Sequence, residues 1–351
     1  MLQGDWSSDV CSSDLDDYMS LEKKIMGTIA GMTLGDSLGM PGELWPKSKI
    51  KNQLGFIDTF MDGPQNNEVA CYFSAGQFTD DSAQALLFLD AICEYNTIPD
   101  ANILAQKLLK WIKNVDGFEK NLLGASSKAA LLAHSKNEDY KLYTSKAETN
   151  GAAMRIAPLG CIIDYSDLNK MAQAVAKISS VTHSTDVTIA GASMIAQAVA
   201  SAIYGKNFDD ILDDVFKIHD IALSLGTPTY NANSKARLKV AISLLDKCTN
   251  DNDVSKMIYE VIGTGVLSSE AVPAALTIAY YCQEPEKAAI MSANLGGDTD
   301  TIGAMACAIC GAYKGIDSIR PEWIYTLEKA NNINFKNYTQ KILTARKFFK
   351  L

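Results

Sequence analysis

The sequence lacks three features that would point to a membrane, a nucleic acid or an oxidising compartment. No run of about 18 uninterrupted apolar residues occurs, so we expect no membrane-spanning helix. Basic residues are scarce, since 32 Lys and Arg against 41 Asp and Glu give a net charge of -9, which argues against a nucleic-acid partner. The eight cysteines are scattered rather than framed like a disulfide scaffold, which favours a reducing, cytoplasmic location.

What the sequence does contain is enough apolar material for a large core, 47% of 351 residues. Strand-like alternation is almost absent, whereas apolar residues recur at helical spacing from Leu21 onward. After Asp81, one helical face carries Ala85, Leu89, Ile92 and Cys93. Two stretches rich in small residues, Asp186–Tyr204 and 301–313, predict helices that approach their neighbours closely.

The organisation of the chain predicts one all-α domain over residues 19–351, because no linker and no repeat of fixed period divides it. Residues 52–77 contain glycines and a proline with little helical period, and we expect a long irregular loop there.

The first residues need separate treatment. Residues 5–15 resemble the conceptual translation of a sequencing-adapter oligonucleotide, and the alternative is a flexible Ser/Asp-rich tail. We therefore interpret residues 1–18 as a non-native or disordered tail and expect the natural start at Met19. Leaving out the three aspartates of residues 5–15 changes the net charge only from -9 to -6.

Two acidic clusters carry the clearest chemical signal. Thr79-Asp80-Asp81 and Asp298-Thr299-Asp300-Thr301 each stand at the start of a predicted helix. Capping would explain one carboxylate per helix, because the helix dipole and free N–H groups favour an acid there. Each cluster has more carboxylates than a cap needs, however, together with hydroxyl oxygens. Four carboxylates brought together repel unless cations intervene, and oxygen-only ligands suit Mg²⁺, Mn²⁺ or Ca²⁺.

Three further segments are candidates with open alternatives. The turn 294–297 contains two glycines ahead of the second acidic cluster, and segment 35–43 ends in Glu43, which is either a base or a solvated loop acid. Segment 149–155 has a turn entering a predicted helix with Arg155 close by; it would cradle a phosphate, or be an ordinary capped helix with Arg155 in a salt bridge.

The remaining chemistry-bearing side chains give weaker signals. His183 stands at a helix entrance, although a lone histidine is more often structural than catalytic. Cys307 and Cys310 have C-x-x-C spacing but lie in an Ala-rich helical run, so we interpret them as small core residues.

Five ordered motifs resemble those of the ADP-ribosylglycohydrolase family, and together they extend over residues 24–315. They are Gly35-Asp36 to Glu43, Phe78-Thr79-Asp80-Asp81-Ser82, Thr149-Asn150-Gly151-Ala152-Ala153-Met154-Arg155-Ile156-Ala157-Pro158, Val181-Thr182-His183, and Asn294-Leu295-Gly296-Gly297-Asp298-Thr299-Asp300-Thr301. The resemblance implies an all-α orthogonal helical bundle with a binuclear Mg²⁺ or Mn²⁺ centre at the base of a cleft.

The resemblance also implies site residues and a substrate class. The implied metal ligands are Thr79, Asp80, Asp81, Asp298, Asp300 and Thr301. The implied substrate is ADP-ribose linked to an acceptor such as an ADP-ribosylated protein, hydrolysed at the ribosyl bond through an oxocarbenium-like state. Catalytic roles would fall to Glu43, Asp80, Asp298 and Asp300, and the ADP portion would be held by Gly124, Ser126, Asn150, Gly151 and His183.

Two other functions remain as alternatives at this point. A hydrolase of a smaller ribosyl compound, such as a nucleoside or nucleotide, would use the same site. A non-catalytic ADP-ribose-binding protein would keep the fold without turnover, although clustered carboxylates that serve no reaction would be electrostatically costly.

Overall fold

The structure is a computed structural model that describes the backbone of residues 9–350 and the side chains of residues 18–350. Over these residues the chain forms α-helices joined by turns, with three isolated β-bridges and no sheet. The prediction of an all-α protein is therefore confirmed. The helices are α1 Asp9–Gly39, α2 Lys47–Leu54, α3 Asp80–Tyr95, α4 Ala101–Asn114, α5 Ala125–Ser135, α6 Lys141–Thr144, α7 Ala157–Gly160, α8 Leu168–Ser179, α9 Asp186–Tyr204, α10 Phe208–Leu223, α11 Ser234–Leu245, α12 Asp251–Met257, α13 Ser268–Cys282, α14 Pro285–Ala293, α15 Thr299–Lys314, α16 Pro321–Asn331 and α17 Phe335–Phe348.

The segment predicted to be a tail, residues 1–18, is only partly described. Residues 1–8 lie outside the described residues, whereas the backbone of residues 9–18 is helical and forms the first part of α1. The non-native origin of residues 5–15 and the start at Met19 stay predictions.

The small-residue helices form where the sequence predicts them. Helix α9 has the predicted bounds, and it is followed by Gly205, whose φ of 98° places it in the left-handed region that closes many helices. Helix α15 contains the whole predicted stretch 301–313. The predicted loop 52–77 is irregular from residue 55 onward apart from a 3₁₀ turn at Ala70–Tyr72, but residues 52–54 belong to the end of α2.

Helices α1 and α15 are in backbone contact along their length. Four glycines spaced four residues apart form one ridge of α1, and a Cβ added at any of them would lie 2.0 to 2.5 Å from a carbonyl oxygen of α15. Real Cβ atoms do not approach so closely, so only glycine permits this packing. The ridge consists of Gly27, Gly31, Gly35 and Gly39. It fixes the end of α1 beside the start of α15.

Helix α9 lies in the middle of one contiguous hydrophobic core and contacts α7, α8, α10, α13 and α15. Among the described helices it alone is long and apolar enough to cross a membrane by length and composition, and 94% of that stretch is buried inside the protein. Cys307 and Cys310 are also fully buried in α15, as expected of small core residues.

Candidate metal centre

The two acidic clusters meet where the N-terminal ends of α3 and α15 face each other. The hydroxyl of Thr79, immediately before α3, donates to Oδ2 of Asp300 in the first turn of α15 at 3.3 Å. Residues 221 positions apart in the chain are thus joined directly. The predicted convergence of the clusters is present in the structure.

The carboxylates form two groups that share one member. Asp36, Asp81 and Asp300 each offer an oxygen within 4.8 Å of the others, and so do Glu43, Asp298 and Asp300. The four aspartates are buried, whereas Glu43 is partly exposed. A carboxylate common to two oxygen-rich groups is the arrangement that a pair of neighbouring divalent cations needs.

Helix capping does not account for these acids. Asp298 occupies the N-cap position of α15, yet its side chain makes no cap hydrogen bond. Helix α3 is capped by Thr79, whose hydroxyl accepts the N–H of Asp81 at 3.4 Å. Meanwhile Oδ2 of Asp81 and Oδ1 of Asp300 are buried without any hydrogen-bond partner. Buried oxygens without a partner are costly, and these two fit the ligand positions of a hard cation.

Burial and mutual repulsion dominate the electrostatics of the cluster. Burial, followed by the negative charges of neighbouring carboxylates, raises the pKa of Asp80 to about 8 and raises the pKa of Asp81 and Asp300 well above the ordinary value. Glu43 behaves in the same way, because burial comes first and Asp300 and Asp298 follow as causes of its strongly raised pKa. The cluster therefore favours any ligand that brings positive charge.

Asp36 belongs to the centre although the sequence analysis did not assign it as a site residue. It lies in α1, where its Oδ1 accepts the N–H of Thr79 at 2.9 Å and its Oδ2 accepts the N–H of Ser82 at 3.0 Å. Asp36 thus ties the start of α3 to α1. The available signal was an acid flanked by Gly35 and Gly39 in an otherwise apolar helix, because such an acid must face a polar partner when the helix is buried.

Two of the residues predicted as metal ligands contribute differently. The carboxylate of Asp80 lies outside both groups of three, and its Oδ2 accepts a hydrogen bond from Gln84 at 2.9 Å. Thr301 is buried in the first turn of α15, and its hydroxyl partly opposes the rise in the pKa of Asp81.

The glycine turn before Asp298 brings Glu43 to the centre. At the isolated bridge the N–H of Gly297 donates to the carbonyl of Trp45 at 2.9 Å, and the N–H of Leu44 donates to the carbonyl of Gly297 at 2.8 Å, which places the segment after Glu43 against the turn. Gly297 has a φ of +87°, and a Cβ there would lie 2.2 Å from the carbonyl oxygen of Thr264. The N–H of Asp298 donates to that same carbonyl at 2.7 Å. Glycine at this position is therefore required by both conformation and space.

The segment predicted to cradle a phosphate is a 3₁₀ turn, Asn150–Ala152, rather than the entrance to an α-helix. The next α-helix is the single turn α7. The Asn150 side-chain amide donates to Oδ2 of Asp298, so the turn contacts the acidic centre. Gly151 lies against the ring of His183, and a Cβ there would be 2.7 Å from its Cε1 and 3.4 Å from Oγ of Ser127.

The other predicted ADP contacts fall in two places. His183 is fully buried, both ring nitrogens are hydrogen-bonded to threonine hydroxyls, and burial lowers its pKa to about 3. It supports the turn from behind. Gly124 and Ser126 lie at the start of α5, where Gly124 is exposed and has no atom within 4 Å of its Cβ position. Sequence reasoning missed Ser127, which is the α5 residue nearest Gly151.

Arg155 is neither a phosphate-facing cation nor, among the described residues, part of a salt bridge. It is 2% exposed, and its guanidinium donates to Gln84 at 2.7 Å and to Thr182 at 2.6 Å. Neither interpretation of Arg155 from the sequence, as a cation beside a phosphate or as a partner in a structural salt bridge, matches these contacts.

Fold and site together define an all-α protein with an oxygen-only, carboxylate-rich centre between two facing helix ends. Residues 17–348 match the ADP-ribosylglycohydrolase family. The match covers nearly the whole chain, and the chain belongs to this family.

Relatives and a solved structure agree with that assignment. The chain is 39% identical over 325 residues to the protein YegU of Escherichia coli (strain K12), covering 92% of this chain and 97% of YegU. It is 26% identical over 341 residues to the ADP-ribosylhydrolase ARH3 of Homo sapiens, covering 87% and 89% of the two chains. A solved ADP-ribosylglycohydrolase-related protein complex has a TM-score of 0.67 at 19% identity, covering 94% of this chain and 99% of that one, which establishes a shared fold.

Proposed function

We propose that this protein hydrolyses the glycosidic bond between ADP-ribose and an acceptor, with two divalent cations at the acidic centre. The observation that carries the proposal is the pair of carboxylate groups that share Asp300. Membership of the ADP-ribosylglycohydrolase family supports hydrolase activity, and the likeness to ARH3 supports an ADP-ribosylated substrate.

The residues present fit a pair of hard cations. Every donor is an oxygen, and Asp81 and Asp300 each keep a buried oxygen without a hydrogen-bond partner. We propose as ligands the set Thr79, Asp80, Asp81, Asp298, Asp300 and Thr301, with Asp36 as the anchor beneath them. When bound, Mg²⁺ or Mn²⁺ would orient the ribose hydroxyls and acidify water.

Glu43 is the residue best placed to move a proton. Glu43 as a whole residue is partly exposed, unlike the four aspartates of the two groups, and its carboxylate lies within 4.8 Å of oxygens of Asp298 and Asp300. A water on the open side of the centre would be in reach of this carboxylate. We propose that Glu43 accepts the proton of the attacking water, while the carboxylates around it stabilise the oxocarbenium-like transition state.

The ADP portion would lie over the 3₁₀ turn and the start of α5. Asn150 reaches the centre through its bond to Asp298, so a ligand that contacts both the turn and the cations would have its ribosyl carbon near Glu43. Gly151 lets the turn pack directly against the ring of His183, and Gly124 and Ser126 offer an open helix start. His183 would act from behind by holding Thr149.

The first prediction concerns Asp298→Ala. The substitution removes a carboxylate of one group and the acceptor of the Asn150 amide, so metal-dependent release of ADP-ribose should fall by at least about 100-fold. Release is measured by chromatography with Mg²⁺ or Mn²⁺, over arginine-, serine- and aspartate-linked ADP-ribose together with free nucleosides and nucleotides.

The matched control is Asp214→Asn, which changes another buried carboxylate that pairs with Lys206 far from the centre in the fold. It should keep wild-type turnover. Full activity in Asp298→Ala would contradict the proposed centre. Turnover of free nucleosides alone would assign the smaller-riboside alternative, and tight ADP-ribose binding without turnover of any substrate would assign the non-catalytic one.

A further inference from the structure

Arg155 is a buried cation that belongs neither to the acidic centre nor to the 3₁₀ turn Asn150–Ala152, which we call the ADP-ribose turn. Among the described residues, no carboxylate oxygen lies within 4.0 Å of its guanidinium nitrogens, so Arg155 forms no ion pair there. The group lies 4.6 Å from the centre of the Phe88 ring instead. A buried charge without a direct counter-ion is destabilising, so its retention in the core calls for a compensating role.

One side of the guanidinium leads to the acidic centre. A terminal N–H donates to Oε1 of Gln84 at 2.7 Å, and Nε2 of Gln84 donates to Oδ2 of Asp80 at 2.9 Å. The glutamine amide has one orientation only, because its oxygen must face the cation and its NH₂ must face the carboxylate. Gln84 therefore connects the guanidinium of Arg155 by hydrogen bonds to the carboxylate of Asp80, which lies outside both groups of three.

The other side of the guanidinium leads to the turn. Its second terminal nitrogen donates to Oγ1 of Thr182 at 2.6 Å, and that oxygen lies 2.8 Å from Nδ1 of His183. A hydroxyl that accepts from a cation is polarised to donate its own proton, here to Nδ1. The neutral ring then carries its proton on Nε2 and donates to Oγ1 of Thr149 at 2.9 Å. This order of donors leaves the hydroxyl proton of Thr149 available to a ligand.

We propose that Arg155 is a positioning residue that holds the acidic centre and the ADP-ribose turn in register, through Gln84 on one side and Thr182 on the other. The inference rests on the proposed function, since it assigns the turn to ADP-ribose. It explains why the buried guanidinium has hydrogen bonds rather than an ion pair. A direct carboxylate partner would neutralise Arg155 and leave neither chain of bonds polarised.

The arm toward the centre, meaning the hydrogen bonds from Arg155 to Gln84 and from Gln84 to Asp80, is tested with Gln84→Met. This substitution keeps the side-chain length and removes both of these hydrogen bonds. Mn²⁺ affinity, followed by electron paramagnetic resonance of the protein without substrate, should weaken about 10-fold or more, as for other groups that orient a metal ligand. The control is Gln197→Met, which removes a fully buried glutamine from α9 and should leave Mn²⁺ affinity unchanged. Wild-type Mn²⁺ affinity in Gln84→Met would overturn this arm.

The arm toward the turn, meaning the hydrogen bonds from Arg155 through Thr182 and His183 to Thr149, is tested with Thr182→Val. Mn²⁺ affinity should stay at the wild-type value, while the ¹⁵N resonances of His183 should lose the pattern of a single Nε2–H tautomer and ADP-ribose should bind several-fold more weakly. Thr277→Val, another fully buried threonine, is the control that should change neither. An unchanged His183 spectrum in Thr182→Val would overturn this arm.

Arg155→Met should produce both effects at once, and adding Gln84→Met to it should weaken Mn²⁺ binding no further. Additive losses in the double variant would overturn the shared anchor. The two single-arm variants keep the guanidinium, so they decide the matter even if Arg155→Met does not fold. If the wild type releases ADP-ribose from no acceptor, the proposed function fails, whereas Mn²⁺ affinity and the His183 spectrum still decide the role of Arg155.

Discussion

Asp300 has a position that no other carboxylate of the described chain shares. It belongs to both groups of three, it accepts the Thr79 hydroxyl with one oxygen, and its other oxygen is buried without a partner. A side chain in that position would affect both proposed cation sites, whereas Asp81 would affect only one. The separate effects of the two aspartates can therefore be measured.

We predict that Asp300→Asn binds neither of two Mn²⁺ ions tightly, while Asp81→Asn loses one. The amide offers one oxygen and no negative charge, so it is a poor ligand for a hard cation. Either substitution also removes a buried carboxylate that its neighbouring carboxylates repel. The free energy of unfolding of the metal-free protein should therefore rise by on the order of 1 kcal/mol. Calorimetric titration gives the stoichiometry, and two tight Mn²⁺ sites in Asp300→Asn would contradict the shared position.

At the residue scale, the sequence predicts which types of side chain form the site better than it predicts which residues they contact. The excess of carboxylates over what capping requires pointed to Asp81, Asp298 and Asp300, because that argument depends only on local sequence. Asp36 and Arg155 act through residues more than 25 positions away in the chain, which local sequence does not specify. The sequence therefore does not identify Asp36 as a site residue, and it does not predict Gln84 and Thr182 as the partners of Arg155.

The contact between α1 and α15 is the element-scale feature on which the centre depends. Asp36 and Asp300 lie on two helices whose backbones touch through the glycine ridge. Glycine is unfavourable inside a helix, so local helix propensity does not explain the glycines at every fourth position of α1. Their cause is the close packing of α1 against α15. The small-residue content of α9 and α15 predicted close packing, but the ridge of α1 was not recognised, because its significance depends on the facing helix. The helix predicted to follow the turn at residues 149–155 is a single turn only, α7, which begins at Ala157.

We predict that Gly31→Ala lowers the free energy of unfolding by about 1 to 3 kcal/mol, the usual cost of overpacking. Its Cβ would lie 2.2 Å from the carbonyl oxygen of Cys307, so the two backbones must separate. In an isolated helix the same change would be stabilising by about 1 kcal/mol, which makes the sign diagnostic. Urea unfolding measures the effect, with Gly124→Ala, where no atom obstructs a Cβ, as the control. Unchanged or increased stability of Gly31→Ala would refute close packing of α1 on α15.

At the scale of the whole molecule, the site is assembled from four separate parts of the chain: the end of α1, the start of α3, the turn at Asn150–Ala152 and the start of α15. Like charges concentrate at the meeting point, so the folded state is strained there until positive charge is supplied. The proposed cation binding would therefore be linked to folding. The all-α class was predictable from helical periodicity alone, whereas this convergence required the family resemblance or the structure.

We predict that Mg²⁺ or Mn²⁺ raises the melting temperature and that EDTA lowers it again. A ligand that binds only the folded state adds about 2.7 kcal/mol at 100 times its dissociation constant, and repulsion in the metal-free cluster makes the change larger. Scanning calorimetry with and without EDTA measures it. Asp300→Asn should respond weakly to either cation, and a wild-type melting temperature that is indifferent to both would contradict cation binding at this centre.

The backbone contact between α1 and α15 also constrains when the site forms during synthesis. The Thr299 hydroxyl bonds to the carbonyl of Gly39 across 260 positions of sequence. At about 5 to 20 residues per second, the ribosome completes α15 tens of seconds or less after α1 has emerged. During that interval the nascent chain carries Asp36, Asp80 and Asp81 but neither Asp298 nor Asp300, so a half-made chain has only part of a cation site. The proposed cation binding would therefore be one of the last steps in the synthesis and folding of the protein, and a product truncated before α15 would lack a complete site.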